Sequence, residues 1–262
     1  MIEPIKDTCV DKPTRRQFNL NEKPNEPITG KHLASKIDHT LLKPEATEAD
    51  IKKLCAEALQ FQFATVCINP NYVRLAASLL QKSPVRPITV IGFPSGVLPT
   101  ISKVAEVKQA IEDGAQELDM VIQLTALKEK DYSFVYDDIR QVVVASRPYP
   151  VKVILETGSL TEDQKIIGCA LSKAAGAAFV KTSTGFAGSG ATVADVELMR
   201  RIVGSEMGVK ASGGIRTLND ALKMLDAGAT RLGTSASVNI IGELQNPQMG
   251  SMPGSKPSTA AY

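Results

Sequence analysis

The segment AAGAAFVKTSTGF, residues 174–186, holds one full period of the fold. Gly176 stops a helical pattern. Apolar, β-prone residues follow over 177–182, with Lys181 near their end. Small and hydroxyl residues then lead into Gly185, which is loop chemistry. The same order recurs downstream in VKASGGIR, residues 209–216, where Lys210 takes the place of Lys181. The helix-stop, strand-start punctuation also recurs, as DGA, AGA and AGA at 113–115, 175–177 and 227–229.

Outward from this segment the alternation covers most of the chain. Apolar β-rich runs lie near 33–38, 63–68, 86–92, 116–122, 150–156, 177–182, 207–212 and 230–233. Helical patterns fall between and after them at 47–60, 70–81, 100–112, 126–146, 161–174, 192–204, 217–227 and 234–243. Thr47-x-x-Asp50, Thr161-x-x-Gln164, Thr192-x-x-Asp195 and Thr217-x-x-Asp220 fit helix-start capping boxes. Strands alternating in this way with helices predict an α/β protein, a (β/α)8 TIM barrel over 32–243. A polar, proline-bearing arm over 1–31 precedes it, and a Gly/Pro/Ser-rich tail over 244–262 follows.

Composition narrows the function. The 262 residues suit one such barrel, and a net charge of +2 gives no nucleic-acid or acidic-membrane signal. No apolar run is long enough for a membrane span, and the first residues lack a signal-peptide pattern. Four scattered cysteines without a CxxC pair suit reduced thiols in the cytoplasm. With only His32 and His39, a histidine-rich metal site is excluded, and proton transfer falls to Asp, Glu, Lys, Tyr or water.

Barrel active sites lie at the C-terminal ends of the strands. Asp38 is expected at the end of the first strand, Cys67 at the end of the second and Asp119 within the fourth. Lys152 and Glu156 fall in the fifth, Lys181 ends the sixth and Lys210 the seventh. Neighbouring strands lie about 4.8 Å apart, so two inward lysines there approach closely. Two like charges about 4 Å apart at an effective dielectric of 20 repel by about 4 kcal/mol, or roughly three pKa units. Desolvation acts in the same sense. One amine then titrates near neutrality and can form a Schiff base. Lys181 is taken as the nucleophile and Lys210 as its charged neighbour, an order that the residues alone leave open. Asp119, among Leu118, Met120 and Val121, reads as a proton shuttle, as a salt-bridge partner of Lys152, or as both. Asp38 reads as orienting a substrate hydroxyl or water, or as bonding to nearby backbone. Gly185, Ser212-Gly213-Gly214 and Gly233-Thr234-Ser235 follow three successive strands and suit a phosphate cradle. Thr182, beside Lys181, belongs with the substrate contacts. Cys67 reads as a small buried hydrophobe or as a reactive thiol.

In their order and wording, KIDHTLLKP (36–44), ATVCINP (64–70), VIGFPSG (90–96), ELDMVI (117–122), VKVILETG (151–158), FVKTSTGF (179–186), VKASGGIRT (209–217) and RLGTSAS (231–237) resemble the deoxyribose-phosphate aldolases. The resemblance implies a class I aldolase without metal or organic cofactor. It would cleave 2-deoxy-D-ribose 5-phosphate reversibly to D-glyceraldehyde 3-phosphate and acetaldehyde. It assigns Lys181 as the Schiff-base lysine, Lys210 as the residue lowering its pKa, and Asp119 as an acid/base acting through water. Gly185, Gly213, Gly214 and Ser235 become phosphate contacts, and the terminal Tyr262 an aid to proton transfer. Phe186 and Ala236 stand where some members carry a lysine and a serine, which removes polar contacts near the phosphate. Small sugar phosphates and aldehydes are the implied partners, and a homodimer suits such barrels. The alternatives are another Schiff-base aldolase acting on a ketose phosphate, a non-covalent sugar-phosphate isomerase, and a barrel that binds sugar phosphate without turnover.

Overall fold

A computed structural model describes residues 28–246. The eight strands are β1 (Ile37–Leu41), β2 (Thr65–Ile68), β3 (Arg86–Ile91), β4 (Glu117–Val121), β5 (Val151–Ile154), β6 (Phe179–Lys181), β7 (Gly208–Ser212) and β8 (Arg231–Thr234). They pair in parallel, in chain order, and β8 closes on β1, so the sheet is the expected (β/α)8 barrel. The surrounding helices are α1 (Gly30–Ala34), α2 (Glu48–Phe61), α3 (Val73–Leu79), α4 (Thr100–Glu112), α5 (Leu124–Lys128), α6 (Tyr132–Ala145), α7 (Glu162–Ala174), α8 (Val193–Val203), α9 (Leu218–Asp226) and α10 (Ser237–Gln245). No described helix is long and apolar enough to cross a membrane. Most of the expected arm and tail, with Tyr262 and Cys9, lies outside the described residues.

Local chemistry accounts for the helix starts. Thr47, Thr161 and Thr217 each form a reciprocal capping box with the residue three positions on. At α8 only half of the box forms. Thr192 accepts from the Asp195 amide, but the Asp195 carboxylate takes Lys165 instead, at 2.6 Å. Gly114, Gly176 and Gly228 have φ of +107°, +87° and +105°, the left-handed geometry that lets a helix stop and a strand begin.

Lys210 is the middle residue of β7 rather than its end, and three further boundaries differ from expectation. The strand expected over 33–38 begins as α1, capped by Thr29, and β1 runs from Ile37 to Leu41. Its inward residues are Asp38 and Thr40, so its apolar/polar alternation is inverted relative to an ordinary half-buried strand. Asp38 is therefore the second residue of β1 rather than its end. The expected 126–146 helix is two helices, separated where Lys130 turns left-handed and Asp131 caps α6 by accepting from the Phe134 amide. The last helix starts at Ser237, leaving Ser235 and Ala236 as loop.

Outside the barrel, α4 and α6 share a buried ion pair. Lys103 Nζ lies 2.6 Å from Asp138 Oδ2 and donates to the Val121 carbonyl at 3.2 Å, and Thr100 donates to the other Asp138 oxygen. Both charged residues are enclosed. Removing one partner of such a pair strands a charge, so Asp138→Ala should cost about 3–5 kcal/mol. Urea unfolding measures this. The double replacement Lys103→Met/Asp138→Leu should recover most of the loss.

Candidate active site

The inward positions of β1 and β4–β8 converge on one buried charge cluster. Lys181 and Lys210 are directly paired across β6 and β7, and Asp119 pairs with Lys152 across β4 and β5. Asp119 lies between three amines: its Oδ1 is 3.0 Å from Lys152 Nζ, and its Oδ2 is 2.9 Å from Lys181 Nζ and 2.7 Å from Lys210 Nζ. Lys210 Nζ also lies 2.5 Å from Asp38 Oδ2. Arg231 holds Asp38 Oδ1 at 2.6 Å and Glu117 Oε2 at 3.2 Å, and Lys152 reaches Glu117 at 2.5 Å. Gly233 makes room for this packing, because a Cβ there would lie 2.8 Å from Lys210 Cε.

Charge counting identifies the odd member. The four bases Lys152, Lys181, Lys210 and Arg231 face only the three carboxylates Asp38, Glu117 and Asp119. Arg86, reaching Glu117 from the solvent edge at 3.0 Å, adds to the positive side. An unbalanced charge in an enclosed interior is costly, so one base discharges. Lys152, Lys210 and Arg231 each touch two carboxylates, whereas Lys181 touches one, on an oxygen it shares with Lys210.

The titration directions agree. Burial pushes Lys181 below the ordinary lysine value, Asp119 offsets part of this, and Lys210 adds to the fall. Desolvation is thus the larger cause, ahead of the lysine–lysine repulsion. For Lys210, burial is outweighed by Asp119 and Asp38, which raise it. Asp119 would rise on burial, but the three lysines hold it well below the usual carboxylate range, so it is a carboxylate at neutral pH. The arrangement supplies a neutral amine, a fixed cation and a fixed base within one hydrogen-bonded group.

The other expected residues take varied places. Asp38 is enclosed and also accepts from the Thr65 hydroxyl at 2.8 Å, so it anchors Lys210 and Arg231 and offers no surface to a substrate hydroxyl. The Thr182 hydroxyl donates to the Ser212 carbonyl and accepts from the Ser212 amide, tying the ends of β6 and β7 together. Cys67 packs with Leu42, Ile88 and Val90, and burial pushes its thiol up to about 11, so it behaves as a small hydrophobe at neutral pH. Gly185, Gly213 and Gly214 all have positive φ, and Ser235 is exposed after β8. Their loops interlock: the Ala191 amide donates to the Gly213 carbonyl at 3.0 Å, and the Thr234 hydroxyl to the Ile215 carbonyl at 2.7 Å.

Two participants, Arg231 and Glu117, were not singled out from the sequence. Both complete the charge cluster, and Glu117 sits two residues before Asp119 on the same strand face, which was the available signal. Glu156 follows β5 rather than lying in it. Its carboxylate accepts from the Thr184 amide and hydroxyl, and the Thr184 oxygen accepts from the Phe186 amide, so Glu156 holds the loop after Lys181. Phe186 meets Phe93 edge-on, with centroids 5.2 Å apart, over the apolar wall of Leu42, Cys67, Ile88 and Val90. The barrel mouth is therefore charged on one side and apolar on the other.

Comparison with known proteins gives the family of the chain. A family model described as DeoC/LacD family aldolase matches residues 32–250. The chain is 52% identical over 219 residues to the deoxyribose-phosphate aldolase of Caldicellulosiruptor saccharolyticus, covering 82% of this chain and 100% of that one. It is 54% identical over 225 residues to that of Thermococcus gammatolerans, covering 84% and 100%. Among solved structures, the deoxyribose phosphate aldolase of Aeropyrum pernix, described as a tetramer, superposes with a TM-score of 0.79 at 36% identity, covering 84% of this chain and 93% of that one. The expected class I aldolase barrel and the family matches coincide, and the chain belongs to the DeoC/LacD aldolase family.

Proposed function

We propose that this carbon–carbon lyase cleaves 2-deoxy-D-ribose 5-phosphate to D-glyceraldehyde 3-phosphate and acetaldehyde, with Lys181 as the Schiff-base nucleophile. The observation that carries the assignment is the surplus base of the cluster. Lys181 has one shared carboxylate contact where every other enclosed base of the cluster has two.

The geometry of Lys181, Asp119 and Lys210 supports the following course of reaction. Neutral Lys181 donates one N–H to Asp119 Oδ2 and keeps its lone pair for the substrate aldehyde carbon. Addition gives a carbinolamine, and loss of water gives an iminium, which withdraws electrons from the chain. Asp119, held as a carboxylate, accepts the 3-hydroxyl proton through a bridging water. The C2–C3 bond breaks, its electron pair passes into the enamine, and glyceraldehyde 3-phosphate leaves. The enamine takes a proton at its terminal carbon, with Tyr262 assigned to assist, and water hydrolyses the resulting imine to acetaldehyde and free Lys181. Lys210 stays charged throughout and disfavours protonation of Lys181. The loops of Gly185, Gly213–Gly214 and Ser235 receive the phosphate, the last beside the start of α10, whose first residues carry no side-chain cap.

The buried free thiols Cys55, Cys67 and Cys169 fit a reducing, cytoplasmic setting, and a homo-oligomer is the expected assembly. A donor panel tests the reading. The enzyme should release acetaldehyde from 2-deoxyribose 5-phosphate and condense acetaldehyde, but not dihydroxyacetone phosphate, with glyceraldehyde 3-phosphate. Turnover with dihydroxyacetone phosphate alone would assign it to ketose-phosphate chemistry instead.

A further inference from the structure

We infer that His39 is a positioning residue for the substrate phosphate: through Ser237 it fixes the start of α10 and, with it, the loops after β7 and β8. The inference rests on the phosphate placement proposed above.

Asp38 faces into the barrel, so its neighbour His39 faces out, into the layer between β1, α2 and α10. The ring is buried and tilted against Phe63, with centroids 4.9 Å apart. Its Nε2 lies 2.9 Å from Glu57 Oε2, and its Nδ1 lies 3.0 Å from Ser237 Oγ. A carboxylate only accepts, so Nε2 carries a proton. Nδ1 is left for the Ser237 hydroxyl, which donates to it when the ring is neutral. Burial lowers the imidazole pKa against the pull of Glu57, which favours that neutral form.

Ser237 is the first residue of α10, and its single O–H is shared between His39 Nδ1 and the Thr234 carbonyl, to which it also donates at 3.0 Å. Thr234 in turn joins both loops. Its hydroxyl donates to the Ile215 carbonyl at 2.7 Å and accepts from the Ala236 amide at 2.9 Å. Ile215 directly follows Gly213–Gly214. Contacts therefore run from Glu57 through His39, Ser237 and Thr234 to Ile215, from α2 to the loops after β8 and β7. The residue at the N-cap of α10 is Ala236, which makes no capping bond. The fixing that a capping side chain gives other helices comes here from His39, one strand away. None of these side chains contacts Lys181, so their influence is confined to the phosphate end of the substrate.

The test compares 2-deoxyribose 5-phosphate with unphosphorylated 2-deoxyribose on the full-length enzyme. In His39→Ala and Ser237→Ala, KM for the phosphorylated sugar should rise about tenfold while kcat stays within about twofold. For 2-deoxyribose kcat/KM should not change. His39→Gln, which keeps a side-chain hydrogen-bonding group at the site, should recover part of the loss. Ser237→Ala leaves the His39–Glu57 pair in place, so the test survives if His39→Ala fails to fold. Equal losses on both sugars, or an unchanged KM for the phosphorylated one, would overturn the inference. Borohydride trapping with acetaldehyde separates the two levels. A Lys181 imine with unaltered phosphate discrimination removes only the role of His39, whereas no imine in the unmodified enzyme removes the proposed function as well.

Discussion

Lys181→Ala is expected to lower kcat for 2-deoxyribose 5-phosphate by on the order of 10⁴-fold or more, because no other group can form the imine. The barrel should stay folded. Lys181 is the discharged base of the cluster, so its removal strands no charge, and Asp119 keeps Lys152 at 3.0 Å and Lys210 at 2.7 Å. The stranded-charge penalty expected at Asp138 therefore has no counterpart here. A single-turnover assay with acetaldehyde release as readout, beside a thermal melt, checks both halves. Residual turnover within about a hundredfold of the unmodified enzyme would place the imine on another amine.

Lys210→Met should shift the pH dependence. Activity requires neutral Lys181, so kcat/KM rises with pH through the Lys181 pKa. Lys210 opposes protonation of its neighbour, and its removal leaves Asp119 Oδ2 to Lys181 alone. The Lys181 pKa then rises and the ascending limb of the profile moves to alkaline pH. Two charges about 4 Å apart at an effective dielectric of 20 set an upper bound of about 4 kcal/mol, or roughly three pH units. The partial neutralisation by Asp119 brings the expected movement to about one to two pH units, a loss of roughly ten- to a hundredfold at pH 7. Asp38 retains Arg231 at 2.6 Å, so the variant strands no carboxylate. An ascending limb that stays where it was would assign the low Lys181 pKa to burial alone.

Much of this was legible because the informative residues break a pattern. A lysine at the end of an apolar run, and an aspartate inside ELDMVI, stand out against a strand of hydrophobes. The three helix-stop glycines were legible for the same reason. What was not legible depends on the inside of the barrel being polar. β1 places Asp38 and Thr40 inward and was read a few residues early, because the apolar Leu33 and Ala34 belong to α1. Arg231 was passed over in RLGTSAS because glycine and serine there read as loop. Asp119 was seen as a lysine partner, but its place between three amines needs the closed barrel. So does the excess of bases over carboxylates. The buried pair of Lys103 and Asp138, and the reach of His39 to Ser237, join residues far apart in the chain that no local pattern connects.

The most direct measurement is borohydride reduction during turnover of 2-deoxyribose 5-phosphate, followed by peptide mass mapping. A two-carbon adduct on Lys181 is the predicted result, since it reports the nucleophile, the imine and the C–C cleavage together. An adduct on Lys210 or Lys152, or none while substrate is consumed, would contradict the assignment of Lys181 as the discharged base of the cluster.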